Sequence, residues 1–186
     1  MVSLASLWLP ILVAAVLVFI ASSLVHMVLP FHRADYTPMP SEDRVLDALR
    51  PFNIPPGDYF MPHARGPEAM RDPAFVAKRK RGPVAVMTVL PSGEVGMTAQ
   101  LIQWFGFCLV VGLFAAYLTS RVLPAGAPYM DVFRFSGTVA FVGYGLALWE
   151  MSIWYRRSWM TTLRSNVDAL IYGLLTGGAF GWLWPA

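Results

Sequence analysis

The sequence holds a single cysteine, Cys108, in 186 residues. One thiol excludes an intrachain disulfide and any cysteine-based metal motif. Charge is also sparse: Asp, Glu, Lys and Arg make up 13% of the chain, about half the share found in an ordinary soluble domain. Histidine occurs only at positions 26, 32 and 63. No GxSxG, HExxH, P-loop or GxGxxG pattern is present, so the chemistries those motifs carry have no support here. There is no run of acidic residues to line a cation pore, and no pair of apolar segments shows the repeat symmetry of a transporter. The net charge of +3 gives little ground for nucleic-acid binding. No Lys or Arg precedes the first apolar run, which is far longer than the h-region of a cleaved secretory signal. A retained helix is expected there.

Apolar residues dominate instead. They form 56% of the chain, and the mean hydropathy is +0.54, the composition of a membrane protein. A helix needs about 20 mostly apolar residues to cross a bilayer. Residues 7–29, 99–119, 132–154 and 163–184 meet that length. The third is the least clean, because Arg134 and Glu150 must lie near its two ends. Helix is the form expected for each, since lipid offers no partner to an unpaired backbone group.

Lys and Arg in the connections set the orientation. The segment between the first two spans holds nine: Arg33, Arg44, Arg50, Arg65, Arg71, Lys78, Arg79, Lys80 and Arg81. Arg156 and Arg157 lie between the third and fourth. Only Arg121 falls between the second and third, and neither terminus has any. The basic face is assigned to the cytoplasm, which places both termini outside. Trp8, Trp104, Trp149, Trp154, Trp159, Trp182 and Trp184 lie mostly near span ends, where amphipathic rings settle.

Residues 31–97 read as a small cytoplasmic α/β module. "SEDRVLDALRP" predicts a helix capped by Ser41 and ended by Pro51. "RDPAFVAKRKRGP" predicts a second, with Asp72 as cap, Pro73 in the first position and Gly82 past the end. "GDYFMPHA" and "PVAVMTVLP" could pair as strands. The basic run Lys78, Arg79, Lys80 and Arg81 is either a contact for anionic lipid headgroups or a topology determinant on a solvated helix end. The second is favoured, because four basic residues barely reach the size of a lipid-binding cluster.

Within the spans, Gly173, Gly177 and Gly181 recur at four-residue spacing, the pattern that lets helix backbones approach closely in lipid. Gly143 and Ala147, or Gly112 and Ala116, are the expected partners, and a partner within the chain is the default. Ionisable groups inside spans are costly and mark candidate sites. His26, Gln103, Glu150, Asn166 and Asp168 all fall near the cytoplasmic ends of their spans. Three readings compete: a metal or proton site from His26, Glu150 and Asp168; a polar vestibule; or structural hydrogen bonds and ion pairs, with Arg156 and Arg157 beside Glu150 and Arg164 beside Asp168. The structural reading is preferred, since such pairs routinely account for intramembrane charges. A haem is not expected, because His26 is the one histidine inside a span. No metal, other cofactor or catalytic residue is assigned.

The stretches "IASSLVHMVLPFHRADY", "GPVAVMTVLPSG" and "GGAFGWLWP" resemble a family of small, uncharacterised bacterial integral membrane proteins. The resemblance implies a four-span plan in the bacterial inner membrane and carries over no catalytic residue. The expected architecture is an all-α membrane protein. A first transmembrane helix lies in 1–30, the cytoplasmic module in 31–97, and helices two to four of a four-helix bundle in 98–186. The expected role is non-enzymatic: an accessory, assembly or scaffold subunit meeting the bilayer and other membrane-protein subunits. A small oligomeric transporter or channel is the alternative.

Overall fold

The computed structural model describes residues 2–94 and 96–186. Most of the chain is helical. Three helical segments are long and apolar enough to cross a membrane: Leu4–Val28, Thr98–Val122 and Tyr129–Tyr155. The chain divides into two compact units, Met1–Thr37 with Gly96–Ala186, and Pro38–Val95. Residues 31–37, read from sequence as the start of the module, thus fold with the long helices.

The first segment joins a short 3-10 turn, Leu4–Leu7, to helix α1, Trp8–Ser23, and a π-helical turn, Leu24–Val28. Pro30 explains how it ends. Proline supplies no N–H and disfavours helical geometry in the residue before it. Leu29 is accordingly extended, at φ −81° and ψ 145°. Its own N–H reaches back five residues to the Leu24 carbonyl at 3.0 Å. Pro30–His32 then coils as a separate 3-10 turn.

In the inserted unit, helix α2 spans Glu42–Leu49. Ser41 does not cap it: the residue is left-handed at φ 52°, and its side chain makes no cap hydrogen bond, whereas capping calls for an extended N-cap backbone. Strand β1 is Gly57–Met61. Helix α3, Gly66–Arg71, is too short for the sequence pattern to reveal. Helix α4 is Pro73–Arg81, and the Asp72 carboxylate accepts the Ala74 N–H at 2.7 Å. Lys78, Arg79, Lys80 and Arg81 fill its last turn and are exposed. Strand β2, Ala85–Val89, pairs antiparallel with β1, setting Gly57 opposite Val89 and Met61 opposite Ala85. Thr88 donates across the pair to Asp58.

The long helices resume with α5, Thr98–Val122, and α6, Tyr129–Gly145. A 3-10 turn, Leu146–Leu148, leads from α6 into α7, Trp149–Tyr155, and α8 follows over Trp159–Trp182. Helices α1, α5, α6 and α8 pack on one another. The core between them is closed by apolar side chains: Leu7, Val18, Val132 and Phe180 are each 0% exposed. At one end the Trp184 indole donates to the Pro124 carbonyl, and the Gly126 N–H donates to that of Pro185, both at 2.9 Å. Val2 and Leu7 join the same cluster as Leu123, Ala127 and Trp184. Both ends of the chain and the α5–α6 turn therefore gather together.

The closest approach is between α6 and α8. A Cβ on Gly173 would stand 2.9 Å from the Gly137 carbonyl, one on Gly177 2.7 Å from the Phe133 carbonyl, and one on Gly181 2.7 Å from the Tyr129 ring. The small residue facing this row is Gly137. The partners expected from sequence lie elsewhere, since Gly143 faces Val111 and Gly112 faces Ile11. A small residue serves this contact only if the rotation of its helix turns it toward this row of α8, and Gly137 is the one so turned. Gly177→Leu is expected to destabilise the detergent-solubilised protein by about 1–3 kcal/mol, the usual cost of overpacking. Gly178→Ala, whose Cβ would meet only the Tyr129 hydroxyl at 3.9 Å, should melt like the parent. Equal melting temperatures for the two variants would contradict the contact.

Candidate functional site

Five polar side chains converge at the opposite end of the long helices. The fold-back after Pro30 is what assembles them. It returns His32 over the π-turn, so that its ring stacks on His26 with centroids 4.1 Å apart and planes 21° from parallel. His32 Nδ1 lies 2.6 Å from an Asp35 oxygen. The other Asp35 oxygen accepts from the Arg164 guanidinium at 2.7 Å. Arg164 sits in the second turn of α8, and Asp168, one turn further on, occupies the centre. Its Oδ2 is 2.8 Å from His32 Nε2 and 3.6 Å from His26 Nε2.

Burial makes this cluster consequential. The Asp168 and Asp35 side chains are 5% and 7% exposed, and that of His32 12%, whereas that of His26 is 49% exposed. Asp35 has a full cationic partner in Arg164. Among the described residues Asp168 has imidazoles alone. Its Oδ1 meets no hydrogen-bond donor among the described residues. His32 Nε2 is within reach of Asp168 yet is not aimed for a hydrogen bond. If Nδ1 carries the proton donated to Asp35, Nε2 presents a lone pair to a carboxylate oxygen.

Beside His26 lies a cavity of about 220 Å³ lined by Ser22, Ser23, Met27, Met97, Leu101 and Trp104. It is mostly apolar, and His26 forms its polar wall. The Trp104 indole donates to Ser22 at 2.7 Å, tying α5 to α1 at this level.

The residues expected from sequence separate into two groups. His26 and Asp168 meet. Gln103 is exposed, because Trp104, the next residue along α5, is the one that turns toward α1. Glu150 is also exposed and makes no ion pair with Arg156 or Arg157 among the described residues; left-handed Arg156 turns the chain away there. Asn166 stays out of the cluster, donating to the Thr162 carbonyl of its own helix at 2.9 Å and accepting from the Trp149 indole of α7 at 3.1 Å. Arg164 bonds Asp35 rather than Asp168. His32 and Asp35, assigned from sequence to the module, complete the cluster. The signal for them was the three-residue spacing of His32 and Asp35 directly after a helix-ending proline.

No family model matches the chain, and neither a curated protein nor a solved structure is similar to it.

The Asp35 carboxyl is held below the usual carboxylate range. Burial works to raise it, and the hydrogen bonds from His32 and Arg164, with their charges, outweigh that effect. A depressed folded-state value adds stability above the unfolded value near pH 4, and this is lost as pH falls through the lower folded value. Asp35→Asn is therefore expected to destabilise the protein at pH 7 by on the order of 1–3 kcal/mol, with the gap narrowing below about pH 4. Melting curves of both proteins across pH would test this; a gap unchanged at pH 3 would count against the charged hydrogen bonds.

Proposed function

We propose that the chain is a four-span integral membrane protein of the bacterial inner membrane, serving as an accessory, assembly or scaffold subunit rather than an enzyme. The observation that carries the architecture is the polarity of α8. Arg164, Asn166 and Asp168 lower its average hydropathy, so it falls outside the three clearly apolar segments. Yet Asp168, Thr161, Thr162 and Thr176 are buried against neighbouring helices, whereas Leu163, Val167, Leu170 and Leu174 are exposed. Spacings of three and four place those four on one helix stripe. A helix with its polar side inward and an aliphatic stripe outward suits lipid. Its 24 residues extend about 36 Å, enough for the hydrocarbon core.

The gathering of both chain ends at one end of the helices supports an even number of crossings. The basic residues of 31–97 and of the α7–α8 turn favour placing the other end in the cytoplasm. Lys78, Arg79, Lys80 and Arg81 act there as part of that topology signal. A core closed by Leu7, Val18, Val132 and Phe180 favours a supporting role over transport through a single chain. The buried ionisable groups gather at one end, while the polar groups buried along the rest of the helices are Ser and Thr hydroxyls; that fits a clamp better than a conduit.

Reporter fusions separate the architectures. Alkaline phosphatase joined after Ala186 is expected to be active, and joined near residue 60 inactive. Activity at residue 60 with silence at the C-terminus would invert the orientation, and a cytoplasmic C-terminus with an external N-terminus would leave three spans. For the role itself, the protein extracted in mild detergent is expected to retain a stoichiometric integral-membrane partner. A lone homo-oligomer that carries ions or solutes into vesicles would replace this reading with the transporter.

A further inference from the structure

We propose that His26, His32 and Asp168 form a binding site for a divalent transition-metal ion of the imidazole-preferring class, with Zn²⁺ as its representative. The site requires neither the topology nor the supporting role above. One ligand atom from each residue lies within 4.8 Å of the others. A tetrahedral Zn²⁺ with bonds near 2.0–2.1 Å sets its ligand atoms about 3.3 Å apart. The His32–Asp168 and His26–Asp168 separations, 2.8 and 3.6 Å, bracket that spacing. Two imidazoles and one carboxylate leave a fourth position open and select against Mg²⁺ and Ca²⁺, which take oxygen ligands.

Three further features point the same way. The first is the orientation of His32. In the tautomer whose Nδ1–H donates to Asp35, Nε2 carries no proton and lies 2.8 Å from Asp168 Oδ2. Two unprotonated acceptors that close are stabilised by a cation between them, and a carboxylate behind a ligating imidazole is the usual second support of a metal ligand. The second is charge. Arg164 offsets Asp35, while Asp168, 5% exposed, has no Lys or Arg partner among the described residues and keeps Oδ1 unpartnered. A buried carboxylate in that condition is costly unless a cation joins it. The third is access. His26 also lines the cavity formed by Met27, Met97 and Trp104, and its 49% exposed side chain is the open side of the cluster. As the half-exposed ligand, His26 has the freedom to adjust its ring when the ion arrives.

The test is Zn²⁺ titration of the full-length protein, purified in detergent without a polyhistidine tag, followed by calorimetry. Co²⁺ serves as a second probe through its visible absorption in a tetrahedral field. One ion per chain is expected. His32→Ala and Asp168→Asn should each weaken binding at least 10-fold, and Asp35→Asn, which leaves all three ligands in place, by about 10- to 100-fold. His63→Ala should bind like the parent. Should a core variant fail to fold, His26→Gln at the half-exposed ligand still gives a reading, with an expected loss of at least 10-fold. No saturable binding by the folded parent, or binding that survives both His26→Gln and His32→Ala, would overturn the site and leave a proton as the cation that His32 and Asp168 share.

Discussion

A carboxylate buried on α8 decides how the first apolar segment leaves the helices. Asp168 is almost wholly enclosed, and the groups that reach it are two imidazoles from the other end of the sequence. An ionised carboxylate in such a place is costly unless it is partnered. The turn after Pro30 is tied to α8 beside it by Arg164, which donates to Asp35 at 2.7 Å. A run of residues that composition assigns to a polar loop thereby becomes part of the helical unit.

The clamp depends on α8 lying in the correct place, and glycine provides that. Between apolar helices in lipid there is no hydrophobic drive to associate, so contact rests on dispersion and hydrogen bonds. Gly173 and Gly177 bring the α8 backbone against Gly137 and Phe133 of α6. Close packing on that side presents the opposite flank of α8, with Asp168 and Tyr172, toward α1 and α5. The two devices divide the work: small residues set the helix spacing along the shaft, and charge fixes the end where the chain must turn.

The elements were largely readable. Three of the apolar segments follow from length and hydropathy, and Asp72, Pro73 and Gly82 mark α4 by their individual chemistry. The strand pair follows from two short β-rich stretches. Ser41 misled, because the residue type favours capping but the backbone there is left-handed. The site was half readable. His26 and Asp168 stood out because ionisable groups in apolar sequence are rare. Gln103, Glu150 and Asn166 stood out for the same reason and yet point elsewhere, since depth along a helix says nothing about which face a residue occupies.

The sequence by itself determined where apolar helices form, how many cationic residues each connection carries, and that Pro30 loosens or kinks the end of the first helix. These are local properties: hydropathy, charge and the missing N–H of proline act within a few residues of where they stand. Only the tertiary structure decided that His32 and Asp35 return to the helices, that Arg164 serves Asp35 instead of Asp168, and that Gly137 is the residue Gly173 and Gly177 meet. Each of those depends on the rotation of one helix about its axis relative to another. That rotation is set by the sum of many weak contacts across the core, which no single segment of the sequence contains.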